Sequence, residues 1–264
     1  MDLTLIGGGR IGEALLGGLI AAGHEPGTLT VVEHSADRGA KLAERHGVNA
    51  VTAADEGLAG ADVVVVAVKP DVVDSVLPAI AAAGVPLVVS VAAGVPLRRF
   101  EAALPDGTAV VRVMPNTPML VGKAMSGVAG GAAATEAHVA TVVELMSSVG
   151  EVLVVPESKL DAVTALSGSG PAYLFLVAEA MIDAGVDLGL TRDQASLLAT
   201  RTIEGAGALM VETSQSPTEL RAGVTSPGGT TAAAVRELEK NGLRPAFYSA
   251  TRACAERSAE LGVS

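Results

Sequence analysis

The residues best suited to chemistry begin at Gly7. Gly7-Gly8-Gly9-Arg10-Ile11-Gly12 has G-x-G-x-x-G spacing, follows the short apolar run Leu3–Ile6 and leads into the apolar-periodic stretch Ile11–Ala22. In a strand–turn–helix setting the first glycine permits the tight turn and the second lets backbone approach a pyrophosphate. The third lets helix pack closely on strand. The amino end of such a helix offers unpaired N–H groups and the positive end of its dipole to phosphate. The chain holds 31 glycines, so the spacing alone says little. The flanking strand and helix are what point to a dinucleotide.

Further candidates sit where other apolar runs end. Glu33 stands 21 residues after Gly12, where an acid can accept hydrogen bonds from an adenosine ribose and repel a 2′-phosphate. His34, Ser35 and Arg38 follow at once and would accept that phosphate if Glu33 turned away, so the sequence leaves the cofactor open between the two forms. Val68-Lys69-Pro70-Asp71 closes the run Val63–Val68, with Lys69 placed at the strand end and Pro70 starting a helix. Arg112-Val113-Met114-Pro115-Asn116-Thr117-Pro118 is a rigid loop whose Asn116 can both donate and accept hydrogen bonds. Two clusters rich in Gly, Ser and Thr lie further on, Ser167–Tyr173 and Thr225–Thr231. The second has the make-up of an anion receptor, with glycine N–H groups, hydroxyl donors and the helix Ala232–Lys240 behind it. Ordinary helix capping explains either cluster equally well.

These residues need elements to hold them. Short Val/Ile/Leu-rich runs occur at Leu3–Ile6, Leu29–Glu33, Val63–Val68, Leu87–Val91, Ala109–Val113 and Val152–Val155. Helical stretches such as Arg38–His46 and Thr135–Val149 lie between them. Alternation of this kind predicts right-handed crossovers and a mostly parallel, doubly wound sheet. After Pro156 the texture changes to helix-start signals, including the capping boxes Thr191–Gln194 and Ser216–Glu219. Ala195–Val211 is apolar almost all round. Such a helix must be covered on most sides, which predicts an all-helical second domain that builds a dimer.

Composition excludes several functions. A formal net charge of −11 with 2% aromatic residues argues against nucleic acid, which rewards basic faces and stacking platforms. Four scattered histidines and one cysteine, Cys254, predict no metal site and no disulfide. Neither a G-x-S-x-G elbow nor a phosphate-binding G-x-x-x-x-G-K-[ST] loop occurs. Mean hydropathy is high at +0.46. The richest runs, Ala172–Val186 and Ala195–Val211, are interrupted by Glu179 and Asp183 and by Arg201 and Glu204, so no membrane span is expected. The first strand starts at Leu3, which leaves no room for a leader, and the expected location is the cytoplasm.

Together, Ile6–Gly12, Ala67–Pro70, Arg112–Pro118, Leu166–Tyr173 and Val224–Thr231 with the following Ala232–Leu238 resemble the pyrroline-5-carboxylate reductases over essentially the whole chain. The resemblance implies an α/β protein, with an N-terminal Rossmann-type doubly wound domain at 1–156 and an all-helical dimerisation and substrate-binding domain at 157–264. It implies reduction of 1-pyrroline-5-carboxylate to L-proline by hydride transfer from NADP(H) or NAD(H), the last step of proline biosynthesis. Carried over residue by residue, the cofactor would meet Ile6, Gly7, Gly9, Arg10, Ile11 and Gly12. It would also meet Glu33, His34, Ser35, Ala67, Val68, Lys69, Pro70 and Asn116. Substrate would sit on Val224, Ser226, Gly228, Gly229, Thr230 and Thr231, with Thr231 and Lys69 closest to the chemistry. The family forms homodimers that place the substrate loop of one subunit with the cofactor of the other, and its members commonly assemble into decamers of five dimers. Where many relatives carry an asparagine that meets the ribose, this chain reads Thr52-Ala53-Ala54-Asp55. A reductase of hydroxy acids would instead need a lysine near the domain junction, where Lys159 stands.

Overall fold

The computed structural model describes residues 1–262. They form two compact units, Met1–Ser169 together with the stretch from Ala253 onward, and Gly170–Arg252.

The first unit opens with β1 (Leu3–Ile6), α1 (Arg10–Ala21), β2 (Leu29–Val32), α2 (Ala36–His46), β3 (Asn49–Val51) and α3 (Ala54–Leu58). It continues with β4 (Val63–Val66), α4 (Val73–Ala83), β5 (Leu87–Ser90), α5 (Leu97–Glu101) and β6 (Ala109–Met114). Then come β7 (Ala124–Gly130), α6 (Glu136–Ser147), β8 (Gly150–Val154) and α7 (Leu160–Val163). The strands make one sheet in the order β3-β2-β1-β4-β5-β6-β7-β8. Every pairing is parallel except β6 with β7. Strand order reverses direction between β1 and β4, the point where an open sheet forms a crevice at its carboxyl edge.

The four valines of β4 show why this sheet is buried on both sides. Val63 and Val65 join an apolar cluster with Leu15, Leu16 and Leu19 of α1, whereas Val64 and Val66 join another with Leu77 and Ile80 of α4. Alternation with period two sends successive side chains to opposite faces, so an all-apolar strand needs helices on both. The strands β3 and β7 were not foreseen. β3 has three residues, and β7 reads Ala-Met-Ser-Gly-Val-Ala-Gly, a composition with weak strand preference. Pairing on both sides, antiparallel to β6 and parallel to β8, is what makes β7 a strand.

The second unit contains α8 (Gly170–Asp187), α9 (Arg192–Glu212), α10 (Pro217–Gly223), α11 (Thr230–Lys240) and the first part of α12 (Leu243–Leu261). Residues Glu157–Ser169, expected to open the second domain, pack with the first unit. Both foreseen capping boxes form. Thr191 Oγ1 accepts the Gln194 N–H, and Ser216 Oγ accepts the Glu219 N–H, with each partner side chain accepting in return. In α9 only Ala195 and Ala199 are buried, four residues apart on one face. A Cβ added at Gly185 of α8 would lie 3.0 Å from that of Ala195, so these helices meet through small side chains. The remaining apolar surface of α9 is exposed, with Leu197 at 62% and Val211 at 86%.

The expectation of no membrane-length segment needs correction. Glu157–Asp187 is one helical run of 31 residues, and a window of it reaches a mean hydropathy of 1.3, enough by length and composition to cross a bilayer. The stretch Ala172–Val186 alone does not show this, because the helical turns from Glu157 to Gly168 precede α8 with only Ser169 between them.

Candidate functional site

The carboxyl ends of β1, β2 and β4 converge on the glycine-rich turn. Gly7 donates its N–H to Val32 O at 2.9 Å, and Ala67 donates to Ile6 O at 2.8 Å. Gly7 has φ +104°, and a Cβ there would lie 2.8 Å from Ala67 O and 3.1 Å from Val68. The position therefore excludes a side chain twice over. A Cβ on Gly12 would overlap the Gly7 carbonyl and stand 2.8 Å from Leu5, which makes Gly12 the close contact between helix and strand. At Gly9, the cap residue of α1, a Cβ would meet nothing within 4 Å, and no side chain caps the helix. Open space before an uncapped helix end suits a pyrophosphate, and the residues present fit a dinucleotide.

Gly8 occupies a variable position of the motif, and the spacing gave no reason to single it out. A Cβ there would clash with Leu42 and come within 3.2 Å of Glu33. Glu33 is buried at 3% exposure. Its Oε2 accepts the Gly8 N–H at 3.0 Å and lies 3.6 Å from Arg38 Nη1. Its Oε1 accepts the Ser35 N–H at 3.0 Å and lies 2.9 Å from His34 Nδ1. His34 itself is exposed, and Ser35 also caps α2 by accepting the Arg38 N–H. Beside the turn lies a cavity of about 360 Å³, lined by Gly8, Gly9, Arg10, Glu13, Arg38, Lys41, Leu42 and Arg45. Arg38, Lys41 and Arg45 are spaced three and four apart, one face of α2. The same spacing is legible in the sequence, where Arg38 alone stands out beside the strand end. Arg45 pairs with Glu13 across the cavity.

Lys69 is exposed and precedes the short helical turn Pro70–Val72 at the end of β4. Asn116 follows β6, three strand spacings from β1, or about 14 Å along the same sheet edge. Its amide is engaged by protein: Nδ2 donates to Ser167 O at 3.1 Å, and Oδ1 accepts the Met125 N–H at 3.0 Å. Ser167, in the sequence one member of a Gly/Ser cluster, also donates its hydroxyl to Met125 O at 3.2 Å and so ties the Asn116 loop to β7. Arg112, from the same motif, is buried and pairs with Glu157 at 3.0 Å, while that carboxylate also accepts the Leu97 N–H. Lys159 is exposed in the turn Glu157–Lys159.

In the second unit, Val224–Thr231 joins α10 to α11. Gly228 has φ +71°, and Gly229, the cap residue of α11, donates its N–H to Ser226 O at 3.0 Å. No side chain caps α11, and Ser226, Gly228 and Thr230 are exposed while Thr231 is half-buried. The loop is tied to the end of α10 by Thr225, whose N–H donates to Ala222 O at 3.1 Å and whose hydroxyl donates to Arg221 O at 2.5 Å, and the start of α10 is capped. Glu219 accepts from both Ser216 Oγ and Ser216 N–H at 2.7 Å, and these bonds, the hydroxyl's first, hold its carboxyl below the usual range.

Over its whole length the chain is 51% identical to a curated pyrroline-5-carboxylate reductase of Corynebacterium melassecola, with 98% of each protein covered. It belongs to the pyrroline-5-carboxylate reductases. A family model described as pyrroline-5-carboxylate reductase dimerisation matches residues 157–261 of this reductase, which makes it a homo-oligomer. Another, described as NADP oxidoreductase coenzyme F420-dependent, matches residues 2–94. Among solved structures, a pyrroline-5-carboxylate reductase from Coxiella burnetii is 37% identical, covers 98% of each chain and superposes with a TM-score of 0.92. A pyrroline carboxylate reductase from Plasmodium falciparum with NADP bound is 31% identical, covers 99% of this chain and 98% of its own, and gives 0.88. The reductase thus has the α/β fold its sequence predicted, an N-terminal Rossmann-type sheet and a helical dimerisation region.

Proposed function

We propose that the protein reduces 1-pyrroline-5-carboxylate to L-proline with NAD(P)H, in the cytoplasm, as a homodimer or an assembly of dimers. The observation that carries this reading is similarity to pyrroline-5-carboxylate reductases over the whole chain at 51% identity. When bound, the reduced nicotinamide supplies a hydride to the C=N carbon of the substrate. The chain's own residues bind and orient. Gly7, Gly9 and Gly12, with the amino end of α1, hold the pyrophosphate. Ile6, Arg10, Ile11, Ala67 and Val68 line its path, and Lys69 and Pro70 border the nicotinamide, as does the backbone around Asn116. Ser226, Gly228, Gly229 and Thr230 hold the substrate carboxylate beside Val224, and Thr231 is hydrogen-bonded at the ring nitrogen.

A protonated cyclic imine already carries the positive charge that draws a hydride, so the site needs no histidine or carboxylic acid. Its task is alignment, which by itself supplies several kcal/mol in well-oriented reactions. Exposed Leu197, Leu209 and Val211 on α9 support the dimer, since side chains of this size do not stay in water when a second copy can cover them. The same covering accounts for the apolar run Glu157–Asp187 without a bilayer. NADPH oxidation measured with pyrroline-5-carboxylate against hydroxy and keto acids tests the reading. Turnover of the imine alone is the expected result, and turnover only of the others would overturn it.

A further inference from the structure

The last turns of α12 belong to the sheet unit, and their contacts there have no part in the mechanism above. Their target is the turn that follows β5. Ser90 stands level with Val66 in the sheet, and Val91 donates its N–H to Val66 O at 3.1 Å. The residues after β5 therefore lie one strand spacing from the end of β4, where Lys69 and Pro70 follow. Ligands of an open α/β sheet bind outside this edge. Within the turn Ala93 is exposed, whereas Gly94, at φ +76°, is buried. What covers Gly94 is the end of α12. A Cβ on Gly94 would come 2.9 Å from that of Leu261, and one on Gly262 would come 3.0 Å from Gly94 O. Two hydrogen bonds seat that end. Arg98 of α5 donates to Gly262 O at 2.7 Å, and Ser258, buried at 6% exposure, donates its hydroxyl to Asp161 of α7 at 2.7 Å. A cavity of about 370 Å³ lies in the same joint, but the charges around it, Arg98, Arg112, Glu157 and Asp161, are each engaged by protein. The joint is built as a brace, not as a ligand site.

We propose that Arg98 and Ser258 are positioning residues for hydride transfer: they seat Leu261 and Gly262 on the turn Ala93–Gly94 and so fix the wall beside the nicotinamide. The inference rests on the cofactor placement proposed above. Kinetics and calorimetry on the full-length enzyme test it by comparing wild type with Arg98→Ala/Ser258→Ala, which removes both hydrogen bonds. With NADPH and pyrroline-5-carboxylate saturating, kcat of the double variant falls about tenfold to a hundredfold, the scale of a reacting group displaced by an ångström. Affinity for 5′-ADP, a fragment that reaches only the adenosine end of the site, stays at the wild-type value while affinity for NADPH drops. Arg98→Lys in place of Arg98→Ala keeps a donor for Gly262 O and recovers part of kcat and of NADPH affinity. An unchanged ratio of NADPH to 5′-ADP affinity in the double variant, or a loss that lysine does not relieve, would overturn the proposal. A wild type that binds NADPH without reducing the imine would refute the proposed function, and the affinity ratio would still decide this inference. Should the double variant fail to fold, Arg98→Ala alone, a change at an exposed residue, is read by the same ratio.

Discussion

In the first unit Leu3, Leu5, Val63–Val66 and Val88 are all buried within one chain. In the second, the 21-residue helix α9 buries two alanines and leaves Leu197, Leu198, Leu209, Met210 and Val211 half exposed or more. The two regions also differ in what defines their elements. A strand such as β7 exists only through its neighbours, whereas α9 and α10 are started by capping boxes whose members lie three residues apart. The lesson is that local and long-range information are divided unevenly along this chain. The sheet completes its own core, whereas the helical region is delimited by local signals and leaves a large apolar surface exposed.

The strongest way to break this comparison is to charge that surface. Leu209→Asp places a carboxylate where Leu209 is 52% exposed in the single chain. If a partner covers it, the unpaired buried charge costs about 3–5 kcal/mol, enough to lower dimer affinity a hundredfold or more. Light scattering should show monomers and proline formation should collapse, while NADPH binding to the first unit changes little, because α9 belongs to the other unit. A variant that remains oligomeric and active would mean this face is no interface.

The next test separates packing from ligand contact inside the sheet unit. Gly12→Ala forces a methyl onto the Gly7 carbonyl and Leu5. Overpacking of this kind costs about 1–3 kcal/mol, so the melting temperature should fall together with cofactor affinity. Gly9→Ala meets nothing within 4 Å in the protein. Its stability should change by less than about 0.5 kcal/mol, yet nucleotide affinity should drop because backbone can no longer approach the pyrophosphate. Equal loss of stability in both variants would remove the distinction between the two glycines.

Much of this was legible in the sequence, for identifiable reasons. Leu3–Ile6 with the G-x-G-x-x-G turn, the valine run of β4 and the two capping boxes are signals contained within a few residues. What stayed hidden depends on partners far along the chain. β7 needs β6 and β8. Glu33 could be placed at a strand end, but only the Gly8 and Ser35 N–H groups show where its oxygens point. Likewise the sequence shows the Asn116 amide, and the structure shows that amide held by Ser167 and Met125, 51 and 9 residues away.

A smaller effect is expected from Val224–Thr231 in the helical unit, proposed above to hold the substrate. Thr231→Ala removes one hydroxyl at a half-buried position beside the uncapped end of α11. Losing one hydrogen bond to a charged group costs about 1.5–3 kcal/mol, a drop of roughly tenfold to hundredfold in turnover. Affinity for NADPH should not move. Parallel loss of both would argue that the loop serves the fold rather than the imine.

The smallest effect probes how locally the helical unit is built. Glu219 has its carboxyl lowered by the Ser216 hydroxyl and N–H, so its folded-state pKa lies beneath its unfolded value. The sign follows from linkage: the cap stabilises fully above the unfolded pKa of about 4.3 and is lost as pH falls through the lower folded value. Glu219 is exposed, so the gain is screened and small. Glu219→Gln should leave α10 intact at pH 7 and flatten only the acid limb of the stability curve. It should also shift KM for pyrroline-5-carboxylate slightly, since α10 ends at the residue before Val224, with NADPH affinity constant. A matching fall in NADPH affinity would show that this cap governs more than its own helix and the loop behind it.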